Sequence, residues 1–125
     1  MRWALLLLTL LLGACTPNPT ARVGGEGWRA SLEWAPTRPR ALQPATLRLR
    51  IGDDSGRPLA VTNLQVRASM PEMTHEPEEI LFRQTGPGRY EAQHTFSMDG
   101  RWEIKVAGEA EGVRILATFT LHVGP

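Results

Sequence analysis

The sequence predicts an all-β domain, a seven-stranded immunoglobulin-like β-sandwich, on three observations. From Trp28 onward apolar and polar residues alternate in short runs, the runs are punctuated by Gly, Pro, Asp and Asn, and no stretch longer than a turn or two carries helical periodicity. Alternation at period two puts one face of a strand against a core and the other in water, as in antiparallel sheets. Seven such strands within about 100 residues are the inventory of a sandwich of this class.

The runs are Trp28 to Trp34, Leu47 to Ile51, Leu64 to Met70, Ile80 with Phe82, Tyr90 to Phe96, Trp102 to Val106 and Val113 to Val123. Their inward positions place Trp34, Leu49, Val66, Phe96, Trp102, Ile104 and Phe119 in the core, while Arg48, Arg50, Gln65, Arg67, Glu91, Glu103 and Lys105 face solvent. Phase also constrains the turn before Trp102. If Phe96 and Trp102 both face inward and pair, Ser97 pairs with Arg101 and the hairpin loop is Met98-Asp99-Gly100, with Gly100 in the left-handed position. A two-residue Asp99-Gly100 turn would instead direct Trp102 to solvent, so the three-residue loop is preferred.

Ahead of the domain, Arg2, an apolar run from Ala4 to Leu12 and the small residues Gly13-Ala14 before Cys15 follow the order of an export signal. The apolar run is far shorter than the roughly 20 residues needed to span a bilayer. Leu12-Gly13-Ala14-Cys15 resembles the bacterial lipobox, in which the cysteine becomes the new N-terminus and is lipidated by diacylglyceryl and N-acyl (palmitate-type) chains. Cys15 is the single cysteine of the chain, so lipidation also accounts for a thiol that has no disulfide partner. The expected organisation is a signal peptide over 1–14, a lipidated tether over 15–27 that is rich in Pro, Gly, Thr and Asn, and the sandwich over 28–125. Removal of the signal takes Arg2 with it, leaving the 13 acidic residues matched by one fewer than the 14 basic ones. A neutral balance gives no footprint for nucleic acid.

The least ordinary stretch is Met70-Pro71-Glu72-Met73-Thr74-His75-Glu76-Pro77, which breaks the alternation between two prolines. Thioethers and an imidazole suit soft or borderline metals, thioethers favouring Cu(I). If successive strands run up and down, this loop and the Met98 turn share one pole of the sandwich. Met70, Met73, His75 and Met98 are therefore the candidate metal ligands, in a shallow, solvent-reachable site with His75 as its only nitrogen ligand. The bland alternative is that the methionines cap the core. His94 reads as a core-facing histidine with a hydrogen-bonded ring, and His122 as a solvated edge position. No Ser-His-Asp order, nucleophile elbow, phosphate-cradling glycine loop or His-Glu-x-x-His helix is present, so no enzymatic activity is expected.

Met70-Pro71-Glu72-Met73-Thr74-His75, then Gly88-Arg89-Tyr90-Glu91-Ala92, then Phe96-Ser97-Met98-Asp99-Gly100-Arg101-Trp102-Glu103-Ile104 resemble, in that order, the YtkA-like domain family. The resemblance covers roughly Trp28 to Val123. It implies an immunoglobulin-like sandwich outside the membrane, often lipid-anchored, with some relatives associated with copper handling through efflux adaptors or oxidase assembly. Met70, Met73 and His75 match the family's Met-Pro-x-Met-x-His pattern, and Met98 its methionine before Gly-x-Trp. Glu72, Thr74 and Glu76 depart from it, standing where members often carry small residues, so this loop is more acidic.

Three functional expectations follow: a copper(I)-binding module for copper handling or oxidase assembly, a metal-free adaptor docking a membrane protein complex, and a structural surface domain. All three place the chain outside the cytoplasm, at the periplasmic side or the cell surface, tied to a bacterial membrane by lipid.

Overall fold

The computed structural model describes residues 18–125; the expected signal peptide and the lipidation residue Cys15 lie outside the described residues. The elements are β1 (Thr20–Gly25), β2 (Trp28–Ala35), β3 (Pro44–Gly52), β4 (Thr62–Ser69), β5 (Glu78–Glu79), β6 (Arg83–Gly86), β7 (Arg89–Thr95), β8 (Gly100–Ala110) and β9 (Val113–Val123). No helix occurs among the described residues. The strands form a five-stranded sheet in the order β1-β2-β3-β7-β6 and a four-stranded sheet in the order β5-β4-β8-β9. Every ladder is antiparallel. Strands β2, β3, β7 and β6 thus follow the A-B-E-D order, and β4, β8 and β9 the C-F-G order, of an immunoglobulin constant-type sandwich.

Period-two alternation sets the layers. Leu32, Leu47, Leu49 and Ile51 from one sheet face Ile104, Val106, Ile115 and Phe119 from the other, all buried. Six of the seven expected core residues are fully enclosed; Trp34 is half-buried against the core, its indole N–H donating to the Thr37 carbonyl at 3.4 Å. Tyr90 is buried and its hydroxyl accepts the Val61 N–H at 3.3 Å. Gly88 has φ 63°, and a side chain there would collide with the Ile51 carbonyl that lies against it. The glycine-tyrosine element therefore serves the fold.

Nine strands replace the expected seven, for two reasons. First, the expected tether is structured from Asn18 onward: β1 pairs with β2 from Thr20↔Glu33 to Gly25↔Trp28 around a two-residue Glu26-Gly27 turn. Ala21 and Val23 supply its inward face, a faint alternation inside a glycine-rich stretch. Second, the expected strand at Ile80 and Phe82 is a crossing between sheets. β5 pairs with β4, Ile80 is buried and donates its N–H to the Val66 carbonyl, and Leu81 then turns outward before β6 joins β7 in the other sheet.

The turn before Trp102 also differs from expectation. Phe96 and Trp102 are both fully buried, and their ring centroids lie 5.3 Å apart. They meet across the sandwich, because β7 belongs to the five-stranded sheet and β8 to the four-stranded one. Arg101 pairs with His122, not with Ser97, so Ser97 to Asp99 is an inter-sheet connection and not a hairpin loop. Gly100 does take a positive φ, 132°.

Trp102 is fully enclosed and packs on the Phe96 ring from across the sandwich, so Trp102→Ala is expected to cost about 3 to 5 kcal/mol, a large part of a small domain's stability. Chemical denaturation of the two proteins measures it, and a loss under about 1 kcal/mol would contradict the packing described.

Candidate functional site

The loop after β4 and the loop between β7 and β8 lie at the same pole, as the up-and-down order requires. Two contacts join the first loop to the start of β8, and a third fixes the second loop on that strand. Glu72 Oε1 accepts from Arg101 Nη2 at 2.6 Å and Nε at 2.8 Å. The Trp102 indole N–H donates to the Met98 carbonyl at 3.0 Å. The Met70 methyl packs against Gly100 so closely that any side chain there would collide with it. Gly100 is favoured there by its positive φ, whereas the Met70 methyl, the far end of a flexible side chain, could swing aside.

The four candidate ligands occupy this pole at different depths. Met70 ends the inward phase of β4 and is 6% exposed, whereas Met73 and Met98 are 46% and 38% exposed. Met73 closes a turn by donating its N–H to the Met70 carbonyl at 3.1 Å. His75 is half-buried, its ring 5.4 Å from that of Trp102 at a tilt of 56°. Of the four, Met70 and His75 are thus the more enclosed and Met73 and Met98 the more exposed.

His75 has the most informative chemistry. Its Nδ1 lies 2.7 Å from the Glu76 carbonyl oxygen. A carbonyl only accepts, so Nδ1 carries the proton and Nε2 of the neutral ring holds a free lone pair. That Nε2 is the one buried side-chain nitrogen or oxygen without a hydrogen-bond partner among the described residues. Buried polar atoms are rarely left so, and an Nδ1–H bonded to a backbone carbonyl with Nε2 unpartnered is the arrangement of metal-ligating histidines.

Two of the acidic residues near this pole, Glu72 and Glu78, are engaged elsewhere. Arg101 holds the Glu72 carboxyl below its ordinary range, chiefly by hydrogen bonding. Glu78 accepts a hydrogen bond from Ser97 Oγ and lies 2.8 Å from His94 Nε2. His94 also packs edge-on against Phe96 at 4.8 Å; its ring is hydrogen-bonded as expected, but it is half-buried and not enclosed in the core. Among the described residues no three His, Cys, Asp or Glu side chains converge as a metal site. His122 is solvent-exposed on β9. The loop-joining role of Arg101 and the bond from the Trp102 indole to the Met98 carbonyl escaped sequence reading; the signal available was only that an arginine and an aromatic follow Gly100.

Solved structures share this architecture at low identity. A DUF4426 family protein from Pseudomonas aeruginosa PAO1 superposes with a TM-score of 0.63 at 13% identity, over 85% of this chain and 95% of that one. A DUF4785 family protein from Legionella pneumophila gives 0.58 at 10% identity, over 78% of this chain and 28% of that one. The Lin-41 filamin domain gives 0.54 at 14% identity, over 87% and 94%. These likenesses concern the fold, which the filamin domain identifies as immunoglobulin-like. Comparison with curated proteins gives no match. The YtkA-like family model matches residues 24–107, from the end of β1 into β8, and so takes in both loops of the candidate site. Strand order, the Met-Pro-x-Met-x-His loop and this match agree: the chain belongs to the YtkA-like family.

Proposed function

We propose that the protein is an extracytoplasmic lipoprotein, anchored through Cys15, whose YtkA-like domain binds Cu(I) with Met70, Met73, His75 and Met98. The observation that carries the reading is the buried, unpartnered Nε2 of His75, held in its lone-pair tautomer by the Glu76 carbonyl. Thioether sulfurs from two loops share its pole, and soft ligands of this kind favour Cu(I) over hard cations. The site's use is copper handling or oxidase assembly, a binding role and not catalysis. A metal-free adaptor is the second reading, favoured by β9, an eleven-residue edge strand with Val113 and Leu116 exposed, which an extended partner segment can lengthen.

In a Cu(I) competition assay, Met73→Leu and Met98→Leu are each expected to weaken binding while leaving the thermal midpoint of the metal-free protein unchanged. His94→Ala should lower that midpoint instead, because it breaks the contact with Glu78. Affinity should fall on acidification, since His75 ligates only when neutral. Equal Cu(I) affinity in wild type and the double methionine variant would leave the adaptor reading in front.

The loop tie has its own pH signature. A carboxyl whose folded pKa is lowered stabilises the fold above its ordinary value, 4.5 for Glu72, and loses that contribution as pH falls through the lower folded value. Glu72→Gln should therefore lower the thermal midpoint slightly at neutral pH, and the two proteins should converge in strong acid. The exposure of the pair keeps the effect small.

For the anchor, Cys15→Ser is expected to leave the domain folded and release it from membranes into the soluble fraction. Wild-type protein that fractionates as soluble and retains a free thiol would refute lipidation.

A further inference from the structure

The outer face of the five-stranded sheet carries two adjacent cross-strand rows of opposite character. In one row Thr20, Glu33, Arg48 and Glu91 lie side by side by register, with Arg83 beyond Glu91. Its charges alternate, and Arg48 reaches Glu91 at 3.3 Å and Glu33 at 3.9 Å. In the next row Arg22 pairs with Ser31, Ser31 with Arg50, and Arg50 with Arg89. This row has no carboxylate. None of its three arginines makes a salt bridge to an acidic group among the described residues.

Arg50 and Arg89 are directly opposite each other, an arrangement in which like charges destabilise a sheet. Nothing in the fold demands it, since both side chains are exposed and contribute nothing to the core. The row borders a cleft of about 800 Å³ at the pole opposite the methionines, also lined by Arg29, Asp53 and Asp54. Those two carboxylates are already engaged. Asp54 pairs with Arg29 at 3.0 Å. Asp53 accepts from the Ser55 hydroxyl and from the Ser55 and Arg57 backbone N–H groups.

We propose that Arg22, Ser31, Arg50 and Arg89 form a second site, which binds a soluble phosphate-bearing anion. Neighbouring strands lie roughly 5 Å apart, so guanidinium forks from adjacent strands reach one tetrahedral group together. A multiply charged anion there offsets the Arg50–Arg89 repulsion that the bare sheet carries. The Ser31 hydroxyl adds a donor between Arg22 and Arg50. This site shares no residue with the methionine pole.

The test uses the full chain with Cys15→Ser, inorganic pyrophosphate as the soluble probe, and sodium chloride matched for ionic strength. Pyrophosphate at about ten times its dissociation constant should raise the thermal midpoint by about 5 °C beyond chloride. Arg50→Gln and Arg89→Gln should each abolish that gain and, in low salt without pyrophosphate, raise the starting midpoint by removing the like-charge pair. Arg48→Gln, in the balanced row, should keep the gain. No shift beyond chloride, or an equal shift in Arg50→Gln, would overturn the proposal. A second arm sediments the same chain with phosphatidylcholine vesicles containing one third phosphatidylglycerol. Pelleting that depends on Arg50 and Arg89 would overturn the assignment to a soluble anion and transfer the row to a lipid surface.

Discussion

Much of this molecule depends on where the Trp102 side chain sits. It enters from the four-stranded sheet, meets Phe96 from the five-stranded sheet at 5.3 Å, donates its indole N–H to the Met98 carbonyl, and lies beneath the His75 ring. Aromatic pairs at this separation add about 0.5 to 1.5 kcal/mol to the burial of their surface. The larger consequence is geometric. One side chain closes the core at this pole and sets the distance between the two loops above it, so packing and site geometry cannot vary independently. A buried indole also needs a hydrogen-bond acceptor, and taking that acceptor from the Met98 backbone fixes where the Met98 side chain starts.

The fold was legible wherever a strand has one buried and one wet face. β2, β3, β4, β7, β8 and β9 alternate strongly, and their phase placed Trp102 and Phe96 inward correctly. β1 was not legible, because Ala21 and Val23 are the only inward side chains in a run that is otherwise Thr, Arg and Gly. Its pairing with β2 comes from tertiary context, which overrides weak propensity. β5 and β6 are short, polar edge strands, and the apolar residues between them mark a sheet change that local sequence does not distinguish from a strand. The same ambiguity affected Ser97 to Asp99. An Asp-Gly pair suits a hairpin and a crossing alike, and the deciding fact is non-local, since β7 pairs with β3 while β8 pairs with β4 and β9.

The meeting of the two loops was nevertheless legible. It follows from alternating strand direction alone, which holds whether the connection before Gly100 returns within a sheet or crosses to the other. Met70 could be told from Met73, because it continues the inward phase of Leu64, Val66 and Ala68 and is buried as that phase requires. What sequence could not supply was the tautomer of His75 and the turn by which Met73, beyond the reach of any periodicity, is exposed.

The departure of this loop from its family makes it more acidic, but of its two acidic departures Glu72 is drawn off by Arg101 while Glu76 stays exposed, and the neighbouring Glu78 is engaged as well. Glu72 is bound by Arg101, and Glu78 holds Ser97 and His94. Each performs a structural task one step removed from the candidate ligands: Glu72 draws the two loops together, and Glu78 ties β5 to the end of β7. A carboxylate bonded to a guanidinium is a poorer competitor for a cation, because coordination requires breaking a charge-assisted hydrogen bond. Acidic residues around a thioether-rich pole can thus raise its rigidity without adding oxygen ligands. On the function proposed above, the ion would be selected by the sulfurs and by the His75 lone pair, while Glu72 and Glu78 hold the surrounding segments in place.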